Sequence, residues 1–498
     1  MIEFEFSYEK VSEWPPLAWL CICDCESSLI RVYHGPRVEV QPKWFCEAVW
    51  DSEYQAGNFD QTDCIFGTGG RLRSKSIHFV SSGSTVDRLH VITKNDRHFI
   101  SNSLPCILEA ADLSLDPSFR GYMDLFKSSR FGLKKLSSEM PLADGFVRLV
   151  YYTNLIWDGT TLTDYSKPFP RHSLHDFSDY FNFMRDSLKR IGNNLTDAGR
   201  STPYTWLGTI SRGYDSPTCA ALAKYAGLQR VLTFNESRPG VADDGHDIAR
   251  SLGLDCVVLD RLGWHRNDLI EPAFLVADGQ GKEVSMAAAA GLLDNTVLLT
   301  GFGGDYVWNR NPYPINEDLH RGDYSGLSLS EYRLHRGFIH LPLPYLAMRQ
   351  VSDIARISQS DEMIPWDTQG PYTRPICRRI VEEAGVSRNQ FGVKKTGNSV
   401  RFLISQDAWS KSGKRAFLNW LWAKRKETGL SCLGWVLGRS AQLIIGPIIS
   451  GKEQRPWPVN RIFHRIYTRV VAIVRRYGFE DMPFVWAVEC IRKKYKRL

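Results

Sequence analysis

A chain of 498 residues, 43% hydrophobic and 23% charged, is long enough for two or three domains around a large core and too apolar to be disordered. The N-terminus, MIEFEFSYEK, is acidic and lacks both the basic region and the apolar run of a secretory signal. With an odd count of eleven cysteines, the expectation is reduced thiols in a cytoplasm. Charge is uneven: residues 401–498 hold 20 Lys/Arg against 6 Asp/Glu, a net of +14, while the whole chain is +7. Residues 1 to about 165 read as short strands between turns, among them Leu17–Cys23, Ser76–Val80, Leu89–Thr93 and Gly145–Tyr152. Helical interruptions fall near Ser103–Ala111 and Phe119–Phe126. Cys21, Cys23 and Cys25 alternate, which puts three thiols on one face of a strand. No second Cys or His pair at metal-ligand spacing accompanies them, so they read as buried thiols.

His172–Ile191 carries apolar residues at 174, 177, 180, 181, 184, 188 and 191, a helical period. It leads to Tyr204–Tyr225, where a short apolar run (Trp206, Leu207, Ile210) meets the turn Ser211-Arg212-Gly213-Tyr214-Asp215-Ser216 and then a helical stretch. Strand, tight glycine turn and helix N-terminus together make an anion site, because backbone N–H groups and the helix dipole point at the turn. Ser211 and Ser216 add hydroxyl donors, and Pro217 costs nothing in the first helical turn. Asp215 would repel a phosphate directly but serves as a Mg²⁺ ligand joining carboxylate to phosphates. Residues 231–237, 241–253 and 256–261 then read as the strand, helix and strand of a parallel-sheet crossover. A second glycine turn, in Val297–Trp308, delivers Asp305, 90 residues after Asp215. Two strands ending side by side would bring both aspartates to one Mg²⁺.

These motifs resemble, in order, those of the ATP pyrophosphatases, the group that includes asparagine synthetases, β-lactam synthetases and lasso-peptide cyclases. SRGYDS resembles the SGGxDS loop that holds pyrophosphate, with Ser211, Gly213, Asp215 and Ser216 matching and Arg212 replacing the first glycine. That arginine either contacts phosphate or crowds the turn. TGFGGD resembles the TGYGAD turn of β-lactam synthetases, with Gly301 and Gly303 in the nucleotide-binding turn and Asp305 as the second metal ligand. Asp243, Asp244 and Asp247 stand where the family has an acidic segment, and equally suit the negative first turn of a helix. DEMIPWD (361–367) resembles the E-x-R-x-P-F-x-D segment. FGVKKTG (391–397) resembles the K-x-G element, in which Lys395, with Lys394 as alternate, would neutralise charge on the α-phosphate.

The segments from His98, Lys134 and Asn154 resemble the N-terminal glutaminase-like domain of asparagine synthetases. That domain uses a cysteine at position 2 as nucleophile; Ile2 stands there, so a degenerate domain without glutamine hydrolysis is expected. The resemblance implies an α/β chain in three parts. Residues 1–165 form an Ntn-hydrolase-like α+β sandwich. Residues 166–400 form a parallel-sheet, adenine-nucleotide α-hydrolase-like (ATP pyrophosphatase) domain, and 401–498 a basic helical region. The implied activity is ATP- and Mg²⁺-dependent adenylation of a carboxylate followed by amide formation with an amine. Phe302 stands where β-lactam synthetases have a tyrosine and asparagine synthetases a glutamate, which leaves Glu362 as the candidate acid/base. The alternatives are an adenylating enzyme with a non-amine nucleophile and a non-catalytic scaffold that keeps the fold.

Beyond residue 400 the resemblance fades. The stretch 444–449 is too short, and too broken by Gly446 and Pro447, to span a membrane. In 461–477, Arg461, Arg465 and Arg469 recur four apart, with apolar residues at 462, 463, 466, 470, 473 and 474: a basic amphipathic helix. Such a helix either packs on the body with a solvated basic face or docks on an anionic membrane or substrate. In the second case the protein is peripheral at the membrane. No stacking platform or reading helix accompanies the charge, so nucleic acid is not expected.

Overall fold

The computed structural model describes residues 3–496 except 26, 239, 371, 394–396, 398–399, 401, 403–407 and 428–479. Lys394, Lys395, residues 444–449 and the basic segment 461–477 therefore lie outside the described residues.

The N-terminal part is two facing sheets. One has seven strands in the spatial order Glu5–Lys10, Leu29–His34, Trp19–Asp24, Arg97–Ser101, Leu89–Lys94, Phe146–Val150, Glu139–Pro141. Its neighbours are antiparallel except the first pair. The other has six antiparallel strands, in the order Leu162–Tyr165, Asn154–Trp157, Ser76–Val80, Ile65–Arg73, Trp44–Trp50, Glu39–Gln41. Period-two alternation decides what each face buries. Trp19, Cys21 and Cys23 point between the sheets, against Phe45, Phe79 and Trp157. Leu20 and Ile22 point the other way, into a cluster with Ile107 and Trp486. Cys25 falls one residue past the strand and is only half-buried against the inter-sheet core.

The second part is built on a five-stranded sheet in the order Asp255–Leu259, Arg230–Phe234, Thr205–Thr209, Thr296–Thr300, Ile339–Pro342, every pair parallel. The strand Thr296–Thr300 (TVLLT) is buried at all five positions, as a strand covered on both faces must be. Trp206, Val297 and Leu299 face the helices Phe177–Leu195 and Asp215–Ala223, while Leu207 and Leu298 face a cluster that includes the helix Glu271–Asp278. The fold is therefore mixed α/β, with antiparallel sheets first and a parallel sheet second.

The two parts share core. Arg333, on the helix Leu329–Arg336, is buried with its guanidinium on Glu47 and on Asp87, 2.8 Å away. The described parts of the C-terminal region also join this core. Trp409 stacks on Phe417 at 5.0 Å, and Trp486 of the helix Met482–Arg492 lies 5.4 Å from the same ring. That last helix packs on Glu271–Asp278 and on Leu104–Ala110. Among the described residues no helix is long and apolar enough to cross a membrane.

Candidate functional site

Thr205–Thr209 and Thr296–Thr300 are neighbours in register, Thr205 opposite Thr296 and Gly208 opposite Leu299. Their carboxyl ends therefore open together, where ligands bind in open parallel sheets. Each runs into one of the glycine turns.

In the first turn the Ser211 and Ser216 hydroxyls lie 3.0 Å apart, and the Gly213 N–H donates to the Ser211 Oγ at 3.3 Å. Asp215 is the first residue of the helix Asp215–Ala223. Tyr214 precedes it and supplies no side-chain cap, so the helix start faces the turn without a capping side chain. Asp243 accepts the backbone N–H of Arg212 at 3.1 Å, and the Arg212 Nε donates to the carbonyl of Asp244 at 3.1 Å. The Arg212 side chain thus ties the turn to the neighbouring loop. Asp244 caps the His246 N–H at 2.8 Å, and Asp247 lies in the first turn of the helix His246–Ser251. Of the three acidic residues, only Asp243 brings a carboxylate to the serine turn.

The second turn packs on the first. A Cβ on Gly301 would stand 2.6 Å from the Cβ of Asp215, and one on Gly304 would stand 2.7 Å from its carboxyl carbon. Gly303 has φ +90°, a conformation that glycine adopts without strain. These glycines let the Asp305 backbone approach Asp215.

The centre of the site is a residue that sequence reasoning missed. Arg374, 3% exposed, sends one guanidinium nitrogen to Asp215 and the other to Asp305. Burial pushes the guanidinium pKa down, but the two carboxylates outweigh it and hold the group above the ordinary arginine value. Arg374 directly precedes the helix Pro375–Glu383, which packs against Asp215–Ala223. The guanidinium also lies 5.3 Å from the Tyr372 ring, which packs on Tyr214 at 4.9 Å. Tyr214 in turn accepts a 2.7 Å hydrogen bond from Arg378. An arginine before a proline-started helix carries no sequence signal of its own.

The segment leading to Lys395 reaches this place. The Gly392 N–H donates to the Arg212 carbonyl at 2.9 Å, and a Cβ on Gly392 would run into the Tyr214 ring. Phe391 meets that ring edge-on at 5.9 Å. Glu362 is engaged elsewhere: one carboxylate oxygen caps the Phe177 N–H and the other pairs with Arg379, both at 2.9 Å. Phe302 lies edge-on to His340 at 5.6 Å, but burial pushes that imidazole down to about 3. A neutral imidazole with so acidic a conjugate acid is a poor general base.

Among the described residues no group of three or more His, Cys, Asp or Glu is placed to hold a metal. The two aspartates converging on one guanidinium are what a phosphate-bound Mg²⁺ asks of a protein: one or two carboxylates, with phosphate and water supplying the remaining oxygens. Asp215 and Asp305 are the residues that could hold such an ion. No protein-family model matches this chain, and no curated protein is significantly similar to it.

Proposed function

We propose that this protein is an ATP-dependent, AMP-forming carbon–nitrogen ligase of the asparagine synthetase-like kind: it adenylates a carboxylate and passes the acyl group to an amine. The observation that carries this is the meeting of Asp215 and Asp305, from two adjacent parallel strand ends, on a single cation. In this reading the serine turn and the start of the helix Asp215–Ala223 cradle the departing pyrophosphate. Mg²⁺ would supply charge neutralisation at those phosphates, held by Asp215 and Asp305. The substrate carboxylate attacks the α-phosphorus, pyrophosphate leaves, and an amine then displaces AMP. Lys395 would face the α-phosphate, supported by its neighbour Gly392, which hydrogen-bonds to Arg212. Arg374 would supply a further cation beside the phosphates, with Asp215 and Asp305 holding Mg²⁺.

The N-terminal sandwich is read as an Ntn-hydrolase-like domain without glutamine hydrolysis. In support, Cys21, Cys46, Cys64 and Cys106 are thiols whose pKa values burial pushes well up, the opposite of what a nucleophilic cysteine needs. No glutamate should be released from glutamine.

A second reading has one observation behind it: Arg374 already satisfies both aspartates, as in a structural ion pair of a non-catalytic scaffold. Exchange of labelled pyrophosphate into ATP, run with Mg²⁺ and a panel of carboxylates, separates the two. Exchange with one carboxylate, abolished in Asp215→Asn and Asp305→Asn, supports the ligase. Exchange retained in both variants rejects the metal assignment. No ATP binding by the wild-type chain leaves the scaffold.

A further inference from the structure

Tyr306, the residue after Asp305, donates its hydroxyl to the Pro314 carbonyl and packs on His320 at 5.2 Å. Pro314 and His320 line a cavity of about 760 Å³, within the usual range for a small-molecule site. It lies at the seam between the two parts: residues 131–135 and 152–169 form one wall, 313–320 and Arg349 the other.

The cavity's chemistry is specific. Its two acids are engaged within the protein: Asp318 accepts the Lys134 backbone N–H at 3.1 Å, and Glu317 faces Arg171 at 3.5 Å and Arg349 at 3.9 Å. Lys167 is committed too, donating to the Ser81 carbonyl and to Asn154. The ammonium groups of Lys134 and Lys135 remain, exposed on the lining and with no ion pair among the described residues. Beside them are rings. Phe131 is 50% exposed, Tyr313 is 89% exposed, and the Arg349 guanidinium lies 3.7 Å from the Phe169 centroid. Apolar rings left in water beside unpaired cations mark a surface that awaits a ligand.

We propose that this seam cavity binds a small organic anion bearing a flat ring, with Lys134 and Lys135 taking the charge and Phe131 and Tyr313 taking the ring. The site is separate from the carboxylate pair and does not depend on the adenylation reading. Two of its lining residues, Pro314 and His320, touch Tyr306, the residue after Asp305.

The test is saturation-transfer NMR on the full chain with phenyl phosphate as probe, against benzyl alcohol (ring without charge) and inorganic phosphate (charge without ring). Phenyl phosphate should bind at least tenfold more tightly than either. Its affinity should fall at least fivefold in Lys134→Ala/Lys135→Ala and again in Phe131→Ala/Tyr313→Ala. All four side chains are exposed, so both variants should unfold at the wild-type temperature. Asp215→Asn should leave this binding unchanged even if it abolishes ATP chemistry. Absence of binding, equal affinity for benzyl alcohol, or undiminished binding in the lysine variant would overturn the proposal.

Discussion

Asp215 and Asp305, 90 residues apart in the chain, end on opposite nitrogens of one buried guanidinium. Like charges brought so close need a cation between them, and in the described structure Arg374 is that cation. The guanidinium engages one oxygen of each carboxylate, so a divalent ion there either shares the two aspartates with Arg374 or takes its place.

Arg374→Ala should lower stability by about 1–3 kcal/mol. Breaking a fully buried pair costs more, but the Asp215 and Asp305 side chains are 23% and 40% exposed. Millimolar Mg²⁺ should restore part of that loss in the variant and stabilise the wild type less. Thermal unfolding with and without Mg²⁺ measures both. An equal Mg²⁺ effect in the two proteins would show that the ion does not take the guanidinium's place.

Gly301→Ala should cut pyrophosphate exchange by two orders of magnitude or more, because the added methyl displaces Asp215. The accompanying loss of stability should be about 1–3 kcal/mol, the usual cost of overpacking. Gly291→Ala is the control, since its Cβ meets nothing within 4 Å. Wild-type exchange in Gly301→Ala would remove the requirement for close packing of the two turns.

Lys167 predicts a pH dependence of stability. Burial pushes its ammonium pKa down from 10.5 to about 7, with Asp63 and Asp60 opposing. Between these values the unfolded chain binds a proton that the folded chain does not, so stability rises with pH from about 7 to about 10, and falls as pH drops back through 7. The slope from this one group is at most about 1.4 kcal/mol per pH unit. Urea unfolding across pH 7–9.5 should show the rise, and Lys167→Met should flatten it. A slope unchanged by the substitution would mean that the amine stays charged in the fold.

Trp486→Ala should cost about 3–5 kcal/mol, the range for emptying a buried tryptophan site. A chain ending at Pro456 lacks the helix Met482–Arg492 and should fold poorly, which makes truncation a poor probe of the basic tail. Charge reversal at Arg461, Arg465 and Arg469 in the full chain, read by salt-dependent sedimentation with anionic vesicles, tests membrane docking with that helix retained.

Local features were legible in the sequence because their causes are local. Strand Ser76–Val80 stands at its expected bounds, and Leu89–Lys94 extends its expected span by one residue. Thiol alternation put Cys21 and Cys23 on one face, and the two glycine turns fall on neighbouring parallel strands. A period of two, a glycine forced by close approach and a strand running into a helix are all written within a few residues. The tertiary structure decided what depends on distant parts of the chain. A buried arginine has no period, so only the packing of Pro375–Glu383 on Asp215–Ala223 reveals Arg374 between the aspartates. Glu362 lies in a segment that resembles the E-x-R-x-P-F-x-D motif, yet its carboxylate went to Arg379 and a helix start, because ion pairing and capping are settled by whatever lies nearest in space. The last helix reads as the end of a basic tail, but its apolar side chains pack on the helices Glu271–Asp278 and Leu104–Ala110, a surface that exists only once the two parts of the chain have come together.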